Sequence, residues 1–178
     1  MLCLAALLFT LPARAAVDIF LDFLPTIPGE SQDSTYANKV DVLAWSWGMS
    51  QSGTTHLGPG SGAGKVSVQD ISITKFVDKA SPRLMEYCAN GAKLTSAFLI
   101  VRKAGTTNTY IKITMADIIV AGVSSGGSGG EDRLTENIVL NFARVKFEYF
   151  PTKADGTPDP NAPAPFTWNI PQNISTWE

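Results

Sequence analysis

Thr135-Glu136-Asn137-Ile138-Val139-Leu140-Asn141-Phe142-Ala143-Arg144-Val145-Lys146-Phe147-Glu148-Tyr149-Phe150 is the stretch on which the fold turns. Ile138, Leu140 and Phe142 hold one phase of a period-two alternation, and Val145, Phe147 and Tyr149 hold the other. Successive side chains of a strand point to opposite faces, so this change of phase requires a bulge near Ala143 or a second buried face. Similar slippage occurs at Gln69 and Asp70. Phase shifts of this kind let long strands bend enough to close on themselves.

The same period extends outward along the chain. Val17, Ile19, Leu21 and Phe23 alternate with Asp18 and Asp22 as an opening strand, which Pro25, Pro28 and Gly29 stop. A polar stretch through Asn38 leads to a strand over 40–50, with Leu43, Trp45, Trp47 and Met49 on one face, and further strands read at 66–77, 94–103 and 110–123. One helix interrupts them. Ser81 is placed to cap its first amides, Pro82 fits the first helical position, Leu84, Met85 and Cys88 form an apolar stripe, and Gly91 suits a left-handed stop. A Pro-rich excursion over 151–165 precedes a last short strand around 166–170. Many antiparallel strands with little helix and no internal repeat indicate a barrel or sandwich, not a parallel sheet, solenoid or propeller.

Composition bounds the function. A chain of 178 residues, 44% hydrophobic, is one ordinary domain with a sizeable core. Its net charge of −2 argues against nucleic acid, whose partners concentrate positive charge on one face. Charged residues make up 17%, below the roughly 25% of typical domains, which fits a surface partly covered by other chains. The apolar run at 2–11 is too short for a membrane span, so no stable membrane insertion is expected. Followed by Ala13-Arg14-Ala15, it reads as a removable leader over 1–15; lacking any Lys or Arg before it, it reads equally as an over-extended start. The body, 16–178, is a single domain. With Cys3 in the leader, Cys88 is its one thiol and no internal disulfide is possible. An inert, buried Cys88 is expected, since His56 is the chain's single His and lies in a distant Gly-rich stretch.

Motifs that carry chemistry fail on inspection. Gly58-Pro59-Gly60-Ser61-Gly62-Ala63-Gly64-Lys65 looks like a phosphate loop, but Pro59 holds the first Gly position and Val66 replaces the hydroxyl that would reach a metal. A strand follows instead of a helix, so the dinucleotide reading fails too. The acidic run Glu131-Asp132-Arg133-Leu134-Thr135-Glu136 lacks the spacing of a calcium loop and reads as a solvated turn with ion pairs. Trp45 and Trp47 suit a core face better than a stacking platform. No catalytic, cofactor or metal site is expected.

Here a resemblance becomes specific. Asp41-Val42-Leu43-Ala44-Trp45-Ser46-Trp47-Gly48-Met49-Ser50-Gln51-Ser52-Gly53 resembles the signature strand of the Hcp family, the haemolysin-coregulated proteins of bacterial type VI secretion. The likeness continues through Gly62-Ala63-Gly64-Lys65-Val66, Gln69-Asp70, Arg102-Lys103-Ala104-Gly105, 125–137, Leu140-Asn141-Phe142-Ala143 and Trp168-Asn169-Ile170, so it covers 16 to about 173. The resemblance implies a mainly β fold: a small antiparallel β-barrel of two sheets with one short flanking α-helix. It further implies a homo-hexamer whose rings stack into a secreted tube, with VgrG-type spike proteins, sheath proteins and small effectors as partners. Assembly would be cytoplasmic and exit would be through the machine, which weighs against export by a leader, because members usually begin with Met before a segment like Ala16-Val17-Asp18.

On this reading function lies in surfaces. The loop carrying Gly53, His56, Gly58, Gly60, Gly62 and Gly64 is expected to contact a neighbouring subunit or the next ring, since glycine permits close backbone approach. The segment 124–133, with Glu131, Asp132 and Arg133, is a second interface candidate. The alternative is a secreted monomeric β-barrel that binds a ligand through Trp45 or Trp47, exported by the leader.

Overall fold

The computed structural model describes residues 17–53, 64–130, 132–154, 157 and 159–177. The leader or over-extended start read at 1–15 lies outside the described residues. Six strands, β1 (Val17–Leu24), β2 (Val40–Ser46), β5 (Ile71–Phe76), β6 (Lys93–Lys103), β7 (Thr109–Gly126) and β8 (Thr135–Tyr149), pair antiparallel in the order β5-β2-β1-β6-β7-β8. Pairing of β5 with β8 closes the circuit into a barrel. A seventh strand, β9 (Phe166–Asn169), extends the wall beyond β8, and β3 (Met49–Ser50) with β4 (Ser67–Val68) makes a separate two-stranded sheet. The mainly β, antiparallel barrel with one helix is thus present, and one of its two sheets carries the whole wall. Fully buried Leu21, Ile71, Leu99, Ile113, Met115 and Ile138 are among the side chains that fill it, which makes the inside of the subunit a core and not a pore.

The phase change in β8 is real, but it is no slip of the ladder. Phe142 and Val145 are both buried, while pairing with β7 keeps one register from Ala116↔Arg144 to Ile118↔Phe142. The neighbours switch at the same level: β7 buries Met115 and then Ile118, and β6 buries Leu94 and then Ala97. Between the buried pair of β7 stands Asp117 at φ 56, a left-handed backbone. Three strands therefore bend together with their hydrogen-bonded partners preserved. The true register shift lies further along β7, where Val120 faces Leu140 and Gly122 faces Val139, leaving Ala121 as the extra residue.

Two other expectations change. The run at 40–50 does not keep Leu43, Trp45, Trp47 and Met49 on one buried face, because the register shifts between Val42 and Ala44 and leaves Leu43 exposed. Val42 before the bulge and half-buried Trp45 after it face the core. Likewise the runs at 40–50 and 66–77 are each cut in two, by Trp47-Gly48 and by Gln69-Asp70, where the chain leaves the barrel to build the β3–β4 ribbon.

Helix α1 (Ala80–Asn90) starts one residue before Ser81. Ser81 is buried inside the first turn, so it is not the cap; its hydroxyl accepts the Asp78 N–H at 3.0 Å, and the Asp78 carboxylate accepts the Ala80 N–H at 2.9 Å. Leu84 and Tyr87 face the core and Met85 is exposed, because a stripe three residues apart suits the groove better than adjacent positions can. Gly91 ends the helix at φ 66, its N–H donating to the Tyr87 carbonyl at 3.1 Å. Among the described residues no helix is long and apolar enough to cross a membrane.

Candidate assembly surface

The ribbon is anchored where it leaves the wall. The Trp47 indole N–H donates to the Gln69 carbonyl at 3.1 Å, and the Gln69 N–H donates to the Gly48 carbonyl at 3.0 Å. Trp47 also tilts against Phe142, at 6.4 Å between ring centroids. Trp45 and Trp47 are both half-buried against the core, as their place in an apolar strand suggested. Beyond them Met49 pairs with Val68 and Ser50 with Ser67, which makes a short two-stranded ribbon, the stalk of the loop over 53–64.

Gly53 and Gly64 stand at the neck of that stalk. The Gly64 N–H donates to the Ser52 carbonyl at 3.4 Å, and a Cβ built on Gly64 would lie 2.4 Å from the Ser52 hydroxyl oxygen. A side chain at 64 would turn the Ser52 hydroxyl aside and crowd the Ser52 carbonyl at 3.3 Å, so glycine eases the close approach. Gly53 has open space around it and is not required on that ground. His56, Gly58, Gly60 and Gly62 lie outside the described residues. Beside the neck, Met49, Val66, Phe166 and Trp168 line a small apolar cavity of about 100 Å³.

The second candidate loop joins β7 to β8. Their ladder runs to Gly126↔Thr135, and Gly130 takes φ 110 in the turn. Glu131 lies outside the described residues; Asp132 and Arg133 are exposed. The solvated ion pair expected here is absent among the described residues. Instead the Arg133 guanidinium sits 4.1 Å over the Phe76 ring at the end of β5, which holds the hairpin base to the closing seam of the barrel. Among the described residues no hydrogen bond or ion pair links the two candidate loops.

Three ionic clusters went unread in the sequence. Lys75, with no exposed side-chain surface, donates to Glu136 at 2.7 Å, to Asp78 at 2.6 Å and to the Phe76 carbonyl at 2.8 Å. Ser81 joins this group by donating to Glu136 at 2.7 Å. On the outer face of β1 and β6, Arg102 bridges Asp18 and Asp33 and lies 5.0 Å from the Phe20 ring and 5.5 Å from the Tyr36 ring. Hydrogen bonds from this guanidinium hold the Asp33 carboxyl down at about 2 and raise Arg102 above its ordinary value. In the third cluster Arg144 holds Asp117 and the Trp177 carbonyl. A signal for the first was present, since Lys75 continues the inward phase of Ile71 and Ile73 while Glu136 continues that of Ile138 and Leu140.

None of these clusters offers a free reacting group. A cavity of about 410 Å³ is lined partly by Asp18 and Asp33, whose carboxylates Arg102 already occupies. Cys88 is half-buried against the core, a little more open than expected. Among the described residues no three His, Cys, Asp or Glu side chains stand together as a metal set.

Known proteins resemble the chain along most of its length. The family described as "Type VI secretion system effector, Hcp" matches residues 20–149. A protein of Pseudomonas aeruginosa named hcp1 is 54% identical over 161 residues, covering 89% of this chain and 98% of its own. The crystal structure of Hcp1 from Salmonella typhimurium superposes with a TM-score of 0.73 at 37% identity, covering 91% of this chain and all of that one. A structure described as a type six secretion system protein superposes at 0.84 with 25% identity, covering 90% of this chain and 100% of its own.

Proposed function

This chain belongs to the Hcp family of type VI secretion proteins, and we propose that it is a tube subunit that works by assembly and not by catalysis. Six copies form a ring, rings stack, and the tube is made in the cytoplasm before it leaves through the machine, with spike proteins at its tip, a sheath around it and small effectors in its lumen. The observation that carries this reading is the β3–β4 stalk on a closed barrel, in a chain 54% identical to hcp1 over nearly the whole length of both. The six strands of the closed circuit leave no edge among themselves, so the separate β3–β4 ribbon is a place where contact with another copy is cheap.

The loop over 53–64, with Gly53, His56, Gly58, Gly60, Gly62 and Gly64, is assigned to that contact. The turn with Glu131, Asp132 and Arg133 is the second surface. Residues 16–178 form the working subunit, and 1–15 is either cleaved or precedes the true start. Light scattering on the purified chain tests the whole: a particle of six subunit masses is expected, and a monomer at high concentration sinks the reading. Charge reversal at Glu131 and Arg133 together is expected to lower the ring population; an unchanged ring mass removes that turn from the interface.

A further inference from the structure

Among the described residues β9 is the one strand of the main sheet whose outer side has no neighbouring strand. It pairs inward with β8 through Val145↔Trp168 and Phe147↔Phe166, so the alternation of the ladder turns the main-chain groups of Thr167 and Asn169 outward. Such a row is a template for a further strand from another chain. In this molecule its Asn169 end is covered. The chain turns at Asn173, φ 56, and comes back so that the Asn169 N–H donates to the Ile174 carbonyl at 2.9 Å and the Ile174 N–H returns a bond to the Asn169 carbonyl at 3.3 Å. The Thr167 hydroxyl donates to the Ser175 carbonyl at 3.1 Å.

We propose that residues 174–177 are an edge guard, a strap that pairs with the outward main-chain groups of Asn169, holds the Thr167 hydroxyl, and keeps copies of this chain from adding strand to strand there. Arg144 is the positioning residue that holds the strap. Its guanidinium donates to the Trp177 carbonyl at 2.9 Å and lies 5.7 Å from that indole, while Asp117, in its left-handed conformation, accepts two bonds from the same side chain at 2.9 and 3.0 Å. The bend across β6, β7 and β8 thus has a second use: the backbone that makes it also presents the carboxylate that aims Arg144. Edge-to-edge addition at β9 would join copies two by two, doubling a monomer and cross-linking rings into larger particles. The guard removes that route whatever number of copies a ring holds.

Two variants test it. A chain ending after Asn173 is expected to keep its near-ultraviolet circular dichroism and to form, with rising concentration, particles of at least twice the mass of those the full chain forms. Arg144→Gln is expected to speed hydrogen exchange at the Asn169 and Ile174 amides several-fold and to show the same growth at higher concentration. A folded truncated chain with the particle size of the full chain overturns the proposal. Should the truncation fail to fold, Arg144→Gln decides alone: exchange unchanged, or faster exchange without added growth, overturns it equally. Either result is independent of whether the full chain is a ring or a monomer.

Discussion

Lys75 and Arg102 are each one cation held by two carboxylates, yet one cluster is sealed inside the barrel and the other lies on its outside. Around Lys75 neither the ammonium nor Glu136 has any exposed side-chain surface, and the second carboxylate, Asp78, has 6%. Around Arg102 the cation is equally hidden, but Asp18 and Asp33 keep 33% and 19% of their surface. The difference decides what each cluster is for. A buried pair on the β5–β8 seam fixes which residues meet there, since a slip by one would leave a charge in the core unpaired. The outer cluster instead pins the segment between β1 and β2 to the wall, through Asp33 and through Tyr36 stacked on Phe20 at 4.7 Å. Read from sequence, that segment was a simple polar connection.

The largest effect should come from the sealed side. Lys75→Met leaves Glu136 and Asp78 uncompensated, and the cost in chemical denaturation should be about 3–5 kcal/mol. Adding Glu136→Leu should recover most of it; if the double variant is no better than the single one, the buried charge is not the cause. Outside, Arg102→Lys keeps the charge but loses the forked donors and the stacking on Phe20 and Tyr36, so a loss of roughly 1–2 kcal/mol is expected. Loss as large as at Lys75 would erase the contrast between the two clusters.

Acid should separate them further. Asp33 is held at about 2, below its ordinary value of 3.8, first by the hydrogen bonds from Arg102. A carboxylate with a lowered folded-state value contributes stability that is complete above about pH 4 and is lost as pH falls through about 2. Denaturation midpoints measured at several pH values from 6 to 2 should therefore fall less steeply in Asp33→Asn than in the parent below pH 4; parallel curves would remove Asp33 from the acid response. The smallest effect on stability is expected at the stalk. Deleting 58–62 removes no residue of either cluster, so unfolding should shift by no more than about 0.5 kcal/mol while tube formation seen by electron microscopy is lost. Normal tubes from that deletion would withdraw the loop from the assembly surface.

Legibility followed range along the chain. The alternation in β1, the stop at Gly91 and the phase change in β8 were readable because each is written in adjacent residues. The family signature at 41–53 and the barrel it implied were equally local, and both are present. Of the candidate contact residues, Gly64 lies close against Ser52 while Gly53 has open space around it, a distinction set by where Ser52 lies and invisible in the string. Arg133 lies over Phe76, a residue 57 positions earlier that pairing of β5 with β8 brings alongside, and no local reading of the run at 131–136 could supply that contact.

By itself the sequence determined the class of the fold, because period-two patterning, turn residues and a single capped helix are properties of neighbours in the chain. Which strands meet, and so where Lys75, Arg102 and Arg144 find their partners, was decided only in three dimensions. Closing the wall is a cooperative event whose register is chosen by the whole set of contacts at once, and a charge has no fixed meaning until that closure has set its distance from every other.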